Sequence, residues 1–449
     1  MQTKKNTSSS SHISSGAIGV LFLAVFVDLL EFGIIIPLLP FWTLDLGATP
    51  FIYGILASAY SLMSFAFAPV WGWISDRWGR RPVILVGLFG TVLGLGLLSL
   101  TALVFTESLT LIFISRLVGG AFTAATLPTS QAYIADTTSG QDRVKGFGLL
   151  GAAFGLGFAL GPGIGGILSF IGGYALPAAV ATFVAIINFI AAIRFLPESL
   201  TKEIRQRRKD QISQEANVKA SLQETVLGNP NILLAIILFA GVSLAFSKMQ
   251  ATLALLGNER FGLDESLTGI IFFVVGVIVI ITQAGLIKPL SNRFSDTILI
   301  TVGIFFLILG FLGLSTVTSL LEMIVWVIPL AFGSSISNPT LGAFLSKETP
   351  KENSGAILGL NQGIGSLMRI AGPLIGTALF EIDVAYPYYF GALILIIGLF
   401  IAGGLVIKTR SLLKEHPCLQ CGFQIREGVT ICDQCGLNQL SIPLEKVEA

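Results

Sequence analysis

The sequence predicts an all-α integral membrane protein in which twelve transmembrane helices form two pseudo-symmetric bundles of six, followed by a small cysteine-rich tail. Three observations predict this fold class. Hydrophobic residues occupy 53% of the 449 positions and charged residues only 12%, with a mean hydropathy of +0.83. Long apolar runs recur along the chain, and the two halves of the sequence resemble each other. A composition this apolar lies outside the range of soluble globular domains.

Twelve apolar runs are long enough to cross the hydrocarbon core of a bilayer, which takes about 20 helical residues. They lie near residues 17–42, 52–71, 83–104, 109–135, 146–170, 175–196, 231–256, 267–287, 297–317, 320–345, 355–380 and 387–407, and are numbered here as spans 1 to 12. We therefore predict an N-tail at 1–15, a six-helix bundle at 16–196, a charged linker at 197–230, a second bundle at 231–408 and a tail at 409–449.

The distribution of positive charge predicts the orientation. With the N-terminus in the cytoplasm, the tails, the central linker and the loops on that side contain 23 of the 27 Lys and Arg residues. The loops on the other side contain only Arg260. Because Lys and Arg accumulate in cytoplasmic loops, both termini are expected in the cytoplasm, and the protein is expected in the cytoplasmic membrane.

An internal repeat relates the two bundles. The segment ALGPGIGG at residues 159–166 recurs as IAGPLIGT at 370–377, and GWISDR at 72–77 has a weaker counterpart in GLIKPLSNRFSD at 285–296. Transporters built from such repeats bind substrate near the bilayer midplane between the halves, and they work by rocking one half against the other.

Several motifs resemble those of the major facilitator superfamily. The loop GWISDRWGRR at 72–81 is similar to the signature loop between helices 2 and 3 of that family. Arg116 with Gly120 resembles its helix-4 motif, and GFALGPGIGG at 157–166 resembles the helix-5 motif of its antiporters. The segments VDLLEFGIIIPLLP, QAYIADTTSGQDRVKGFG and FLPES are similar to segments of tetracycline–proton antiporters and their multidrug relatives. The resemblance covers about residues 16 to 408 and implies the two-bundle fold and drug–proton antiport.

The sequence also departs from the tetracycline exporters, which resemble one another in having acids in spans 3 and 9. Here VILVGLFGTVLGLGLLSL and TILITVGIFFLILGFL contain none. Glu31, Lys248 and Arg369 further indicate a different substrate pocket. These departures disfavour tetracycline itself as the substrate.

The loop between spans 2 and 3 has a mechanical interpretation. Gly72 would permit a close helix approach, Gly79 a tight reversal, and Asp76 could face a helix N-terminus while the arginines bind acids. The loop would then latch the cytoplasmic side in the outward-facing state. The alternative is a simple positive-inside loop. The gating residues predicted on the first interpretation are Gly72, Asp76, Arg77, Gly79, Arg80, Arg81 and Asp136.

Small residues in span 5 predict close helix packing. They are Gly157, Gly161, Pro162, Gly165 and Gly166. Glycines let two backbones touch, and a proline kink is tolerated where neighbouring helices bond the freed carbonyl. The resemblance to antiporters implies that this packing seals the interface between the halves against proton leak.

Three cations and five amides lie within the apolar runs. Arg116 and Arg369 are expected to face a cavity or pair with acids, whereas Lys248 could either extend to the outer surface or reach substrate. Candidate cavity residues, any of which could instead bond a neighbouring helix, are Asn188, Gln250, Gln283, Asn361 and Gln362.

Two carboxylates in span 1, Asp28 and Glu31, are three residues apart and share one helical face. A charged group at a bilayer centre costs roughly 3 kcal/mol or more, so their presence suggests a function. Asp28 could lie at the interface, form an ion pair with Arg116 or Arg369, or take a proton from one side and release it to the other. We expect the last, with Glu31 tuning the exchange.

The four cysteines of the chain all lie in the tail, as two C-x-x-C-G motifs at Cys418, Cys421, Cys432 and Cys435. This spacing resembles a zinc ribbon. In a reducing cytoplasm, paired thiols bind metal rather than form disulfides, and four thiolates complete a tetrahedral structural zinc site. Redox-active or unliganded thiols are the alternative.

Together these features predict a secondary transporter that exports small amphipathic or cationic compounds in exchange for protons, and not an enzyme. No Gly-Lys dipeptide occurs, which excludes a Walker-type ATP loop. The alternatives are a nutrient uniporter or proton symporter, and a membrane-tethered sensor or scaffold that uses the zinc ribbon. The expected partners are a small-molecule substrate, protons, the lipid bilayer and a protein partner of the ribbon, with no nucleic acid.

Overall fold

The computed structural model describes residues 15–104, 108–138, 140–199, 225–350, 353–412, 415–417 and 424–426. Twelve of its helical segments are long and apolar enough to cross a membrane, which confirms the twelve predicted spans. Their helices are Ser15–Ile35 and Leu39–Asp45 (span 1), Pro50–Trp78 (2), Arg80–Leu103 (3), Leu109–Thr123 and Thr126–Thr137 (4), Gly140–Gly172 (5), Ala175–Phe195 (6), Pro230–Phe261 (7), Glu265–Ile280 with Ile287–Arg293 (8), Asp296–Ser315 (9), Leu320–Glu348 (10), Ser354–Ile382 (11) and Tyr386–Leu412 (12).

Local sequence explains where several helices break or begin. Span 1 is interrupted after Ile35, close to Pro37, which has no backbone N–H to donate. Span 2 begins at Pro50, and the Thr49 side chain accepts a hydrogen bond from the backbone of the first turn. Span 8 contains a π-helical turn at Ile281–Leu286, a form often found at functional sites.

The bundle has two ends, one at each side of the predicted membrane. Because the number of spans is even, the first span begins and the last span ends on the same face. We call this face the terminal face, and it includes the turn at Gly79 between spans 2 and 3. The opposite face, which includes Gly47 and Gly262, is called the distal face.

The halves meet along two lines, span 2 against span 11 and span 5 against span 8. On the first line, the backbone N–H of Phe51 donates to the Glu381 carboxylate at 2.9 Å, and the Ser58 hydroxyl donates to the Ile370 carbonyl at 2.7 Å. A Cβ on Gly54 would lie 2.9 Å from the carbonyl oxygen of Pro373. These contacts all lie in the distal part of spans 2 and 11.

The second line is also closed at the distal face. The Ser169 and Ser266 hydroxyl oxygens are 3.2 Å apart. A Cβ on Gly166 would lie 2.7 Å from the Cα of Gly269, so the two glycines let spans 5 and 8 touch. Nearer the terminal face, no atom of another described element lies within 4 Å of where a Cβ would stand on Gly72 of span 2, Gly285 of span 8, or Gly359 and Gly363 of span 11. The halves are therefore in contact on the distal side, and open space lies beside these four glycines nearer the terminal face.

The predicted close packing of span 5 is present, mainly against span 1. A Cβ on Gly157 would lie 2.7 Å from the carbonyl oxygen of Phe26, and one on Gly161 would lie 2.6 Å from that of Leu30. A Cβ on Gly165 would collide with the carbonyl oxygen of Ile34. Three glycines one helical turn apart thus hold span 5 against the helix that contains Asp28.

The tail contains a two-stranded antiparallel sheet. Strand β1, Glu415–Pro417, pairs with strand β2, Gln424–Arg426, in the register Glu415 to Arg426 and Pro417 to Gln424. The predicted zinc ligands Cys418, Cys421, Cys432 and Cys435 lie outside the described residues.

Candidate functional site

A cavity of about 230 Å³ lies between the two halves of the protein. Spans 1, 2 and 4 form one wall, and spans 7 and 11 form the other. Apolar and aromatic side chains dominate the lining, and Phe32, Tyr53 and Tyr60 supply its rings. Such a surface with a few polar groups is typical of sites for small organic molecules.

Asp28 lies in the wall of this cavity with 9% of its surface exposed. The Thr91 hydroxyl donates to its carboxylate at 3.3 Å. Among the described residues, no Lys or Arg nitrogen lies within the 4.0 Å ion-pair distance of Asp28. Asp28 is therefore inside the bundle rather than at a membrane interface. It forms no ion pair with Arg116 or Arg369, which are both described residues.

Glu31 lies in the same helix, Ser15–Ile35, one turn after Asp28. Its side chain is outside the described part of the structure. The predicted pairing of the two acids on one face thus remains a prediction from helical spacing.

Arg116 faces the interior, as expected. It is 5% exposed and lines a small pocket next to the cavity, with Thr91 and Thr123. The guanidinium carbon lies 5.5 Å from the ring centroid of Tyr60, in cation–π range. Tyr60 and Phe32 border both the pocket and the cavity, so Arg116 lies directly behind the aromatic wall.

Arg369 is the cation of the opposite wall. It lines the cavity together with Gln250, as expected for both residues, and with Ser247 and Ser366. Its guanidinium donates to the Ser366 hydroxyl at 2.8 Å. The cavity therefore has a carboxylate in the first half and a guanidinium in the second.

Lys248 takes neither of the two positions predicted for it. It is 0% exposed, and its ammonium donates a hydrogen bond to the carbonyl of Pro387 in span 12. The ammonium nitrogen also lies 5.3 Å from the ring centroid of Phe311 and 5.1 Å from that of Phe390. Lys248 thus packs inside the second bundle, where aromatic rings and a carbonyl replace its hydration.

Four of the five amides expected at the cavity do not line it. Asn188 is buried, and its amide nitrogen lies 3.5 Å from the Ala24 carbonyl of span 1, so it bonds a neighbouring helix. Gln283 is exposed in the π-helical turn of span 8, Asn361 is buried, and Gln362 is exposed on span 11. Helical spacing places these amides within spans but does not define which face meets the other half.

The loop between spans 2 and 3 forms a buried ionic network. Arg80 is 1% exposed and donates to Asp76 at 2.6 Å, to Asp136 at 2.9 Å and to the Ser75 hydroxyl at 2.5 Å. Gly79, with φ of +115°, makes the reversal that was predicted for it. The Arg77 guanidinium stacks on the ring of Trp73 at 3.7 Å.

A residue outside the predicted set contributes to this network. The Glu198 carboxylate accepts hydrogen bonds from the backbone N–H of Arg80 at 2.9 Å and from that of Arg81 at 3.3 Å, at the N-terminus of span 3. Arg81 in turn donates to the Ile193 carbonyl at 2.7 Å. Glu198 thus binds the N-terminus of span 3, and its segment FLPES was the only signal for it in the sequence. These contacts all lie within the first bundle, and Gly72 makes no close helix approach in this conformation.

Comparison with known proteins decides the family. The profile described as Major Facilitator Superfamily matches residues 21–373 and 289–417. The chain belongs to the major facilitator superfamily. It is thus a multi-pass membrane transporter and not an enzyme.

Relatives within the superfamily include drug-resistance proteins. The chain is 30% identical to the class C tetracycline resistance protein of Escherichia coli over 82% of its own length and 90% of the relative. It is 28% identical to Multidrug resistance protein 2 of Bacillus subtilis (strain 168), over 85% of this chain and 92% of the relative. It is 25% identical to the quinolone resistance protein NorA of Staphylococcus aureus (strain MSSA476), over 88% of this chain and 98% of the relative.

Solved structures show the same fold. The human organic anion transporter MFSD10 aligns with a TM-score of 0.62 at 23% identity, over 86% of this chain and 99% of that one. A bacterial homologue of the human lysosomal transporter Spinster, in an inward-facing conformation, aligns with a TM-score of 0.65 at 14% identity, over 87% and 97%. At these identities the likeness concerns the fold alone.

Proposed function

We propose that this protein exports small amphipathic compounds in exchange for protons, with Asp28 as the residue that couples the two. The observation that supports the proposal most strongly is a carboxylate in the wall of the central cavity that, among the described residues, has threonine hydroxyls beside it and no cation within ion-pair distance. A structural acid would be expected to have a cation beside it, since an unpaired buried charge is costly.

The coupling follows from competition at one carboxylate. When Asp28 is protonated, its neutral form fits the low-polarity wall. A cationic group that enters the cavity favours the ionised form and expels the proton. Glu31, one helical turn away, raises the cost of having both acids ionised and so tunes the exchange. Proton and substrate then exclude each other, which is the minimal requirement for antiport.

Alternating access supplies the transport step. The Lys and Arg distribution supports a cytoplasmic terminal face, and on this orientation we take the present conformation to be closed at the distal face and open to the cytoplasm. Opening the other side breaks the bonds of Glu381 and Ser58 between spans 2 and 11. The ionic network of Arg80, which now lies inside the first bundle, would then latch the closing cytoplasmic side.

Transport in inverted membrane vesicles tests the proposal. With an acidic lumen, rhodamine 123, an aromatic cation, should accumulate in vesicles that contain the wild-type protein, and a protonophore should abolish the accumulation. Asp28→Asn should show none, at equal expression. A proton symporter would instead release preloaded dye from acidic vesicles, and that result would overturn the direction proposed here.

For the tail we infer one structural zinc ion held by Cys418, Cys421, Cys432 and Cys435. The support is the C-x-x-C spacing of two cysteine pairs, the first of which falls in the sequence between β1 and β2. Metal analysis should find one zinc per chain and less in Cys421→Ser. Equal zinc in both proteins would refute the site. Deletion of 411–449 without loss of transport would separate a partner-binding role of the tail from export.

A further inference from the structure

The guanidinium of Arg369 lies where no requirement of folding would place it. Arg369 is 15 residues from the beginning of the helix Ser354–Ile382 and 13 from its end, roughly 20 Å from either end by helical rise. The side chain is too short to reach a membrane interface from there. An arginine at this depth is expected to face a water-filled cavity or a partner, and to have a function.

The hydrogen bonds of Arg369 are mostly unused. Its one hydrogen bond within the described residues is to the Ser366 hydroxyl, one turn earlier on the same helix, and none of their acids lies within 4.0 Å of it. A guanidinium has five N–H donors in a planar fork that matches a carboxylate. Several donors are therefore left for a ligand in the cavity that Arg369 lines.

The two walls of the cavity differ in charge and in shape. The first-half wall presents Asp28 and the rings of Phe32, Tyr53 and Tyr60, and the second-half wall presents Arg369. A molecule that satisfies both walls needs an aromatic body, an anionic group toward span 11 and a cationic group toward span 1.

We propose that the preferred substrates are aromatic zwitterions, whose carboxylate is bound by Arg369 while their cationic group displaces the proton from Asp28. The second half of this statement rests on the proposed function, whereas the first half depends on Arg369 alone. A zwitterion that bridges the two walls would also bind a closed conformation more tightly than an open one, and this difference in affinity is what a ligand needs to drive the halves together.

A matched pair of dyes tests the role of the carboxylate. Rhodamine 110 is a zwitterion in neutral water, and rhodamine 123 is its methyl ester, with the same rings and no carboxylate. Fluorescence anisotropy with the detergent-purified full-length protein should give a dissociation constant about 10 to 100 times lower for rhodamine 110, as expected for a charge-assisted bond to a guanidinium. Equal affinity of the wild type for both dyes would overturn the proposal without any variant.

Variants then assign the preference to Arg369. Arg369→Gln should abolish the preference for rhodamine 110. The affinity for rhodamine 123, which has no carboxylate to bind Arg369, should stay within about twofold of the wild-type value. Arg369→Lys should keep part of the preference, because it retains the charge and loses the fork. Lys288→Gln is the matched control, since it removes one positive charge from an exposed position of span 8, away from the cavity. An unchanged preference in Arg369→Gln would refute the assignment.

The same data separate this proposal from the proposed function. If rhodamine 123 is exported in a manner that depends on protons and on Asp28, but rhodamine 110 binds no better, the substrate class is wrong and antiport stands. If rhodamine 110 is preferred through Arg369 and Asp28→Asn still exchanges protons, the anion site stands and the coupling site is wrong.

Discussion

Glu381 forms one of the bonds that close the distal face, and its replacement should shift the protein toward the outward-open state. The carboxylate of this second-half residue accepts a 2.9 Å hydrogen bond from the Phe51 N–H, in the first turn of span 2. An anion at a helix N-terminus is worth about 0.3 to 1 kcal/mol when exposed, and up to about 2 when partly buried. Glu381→Gln keeps an acceptor oxygen and removes the charge, so the ratio of outward-open to inward-open molecules should rise about twofold to fivefold.

Double electron–electron resonance between two spin labels can measure this change in the ratio of outward-open to inward-open molecules. Spin labels at Ile171→Cys and Ile382→Cys would report the separation of the halves, since both residues are exposed near the distal ends of spans 5 and 11, with 69% and 70% of their surfaces accessible. The four tail cysteines would be replaced by serine. Asp383→Asn is the matched control, because this carboxylate accepts a bond from Ala385 within its own half. If Glu381→Gln gives the same distance distribution as the parent and Asp383→Asn, Glu381 does not help to close the distal face.

Three further predictions follow from single contacts. Asp76→Asn should fold and insert normally but export about tenfold less. It weakens one charged hydrogen bond of Arg80 by roughly 1.4 kcal/mol, in a latch that differs between the inward-open and outward-open states. Normal export at normal expression would reduce the loop to a topology signal. Gly161→Leu should lower the melting temperature and transport together, as overpacking against span 1 costs about 1 to 3 kcal/mol or more, and melting equal to the wild type would contradict the close contact. Lys248→Met should retain transport and have a melting temperature no lower than that of the wild type, because a Met side chain of similar size does not require burial of a charged ammonium group. Loss of transport at unchanged melting temperature would show that Lys248 has a role in transport.

The membrane spans could be predicted because their signal is local. An apolar run of sufficient length must be helical to satisfy its own backbone, so length and composition alone define it. The turn at Gly79 and the glycines of span 5 were also predictable, since a tight reversal and a close helix contact each favour glycine in a short motif.

The interior positions were harder to predict because they depend on which face of each helix meets another. Lys248 and Arg369 are both cations within spans, yet one packs against Phe311 and Phe390 and the other lines the cavity. Asn188 likewise faces span 1 rather than the cavity. In a span that is apolar on all sides, the sequence gives little information about how the helix is rotated about its axis. Only the packing of the assembled bundle shows which face of each helix meets the cavity.

Glu198 and Glu381 illustrate a second limit. Each binds a helix N-terminus that is more than a hundred residues away in sequence, 118 for Arg80 and 330 for Phe51. A lone glutamate at the end of a span gives no indication of the distant helix that it will meet. Such residues are found only after the fold brings the two segments together.

Proton release upon substrate binding shows whether Asp28 couples substrate to protons. Purified protein in weakly buffered detergent, with a pH indicator, would be titrated with rhodamine 123. We expect a saturable release of protons from the wild type and from Asp383→Asn, and none from Asp28→Asn, which should still bind some dye. Unchanged release from Asp28→Asn would place the coupling site elsewhere.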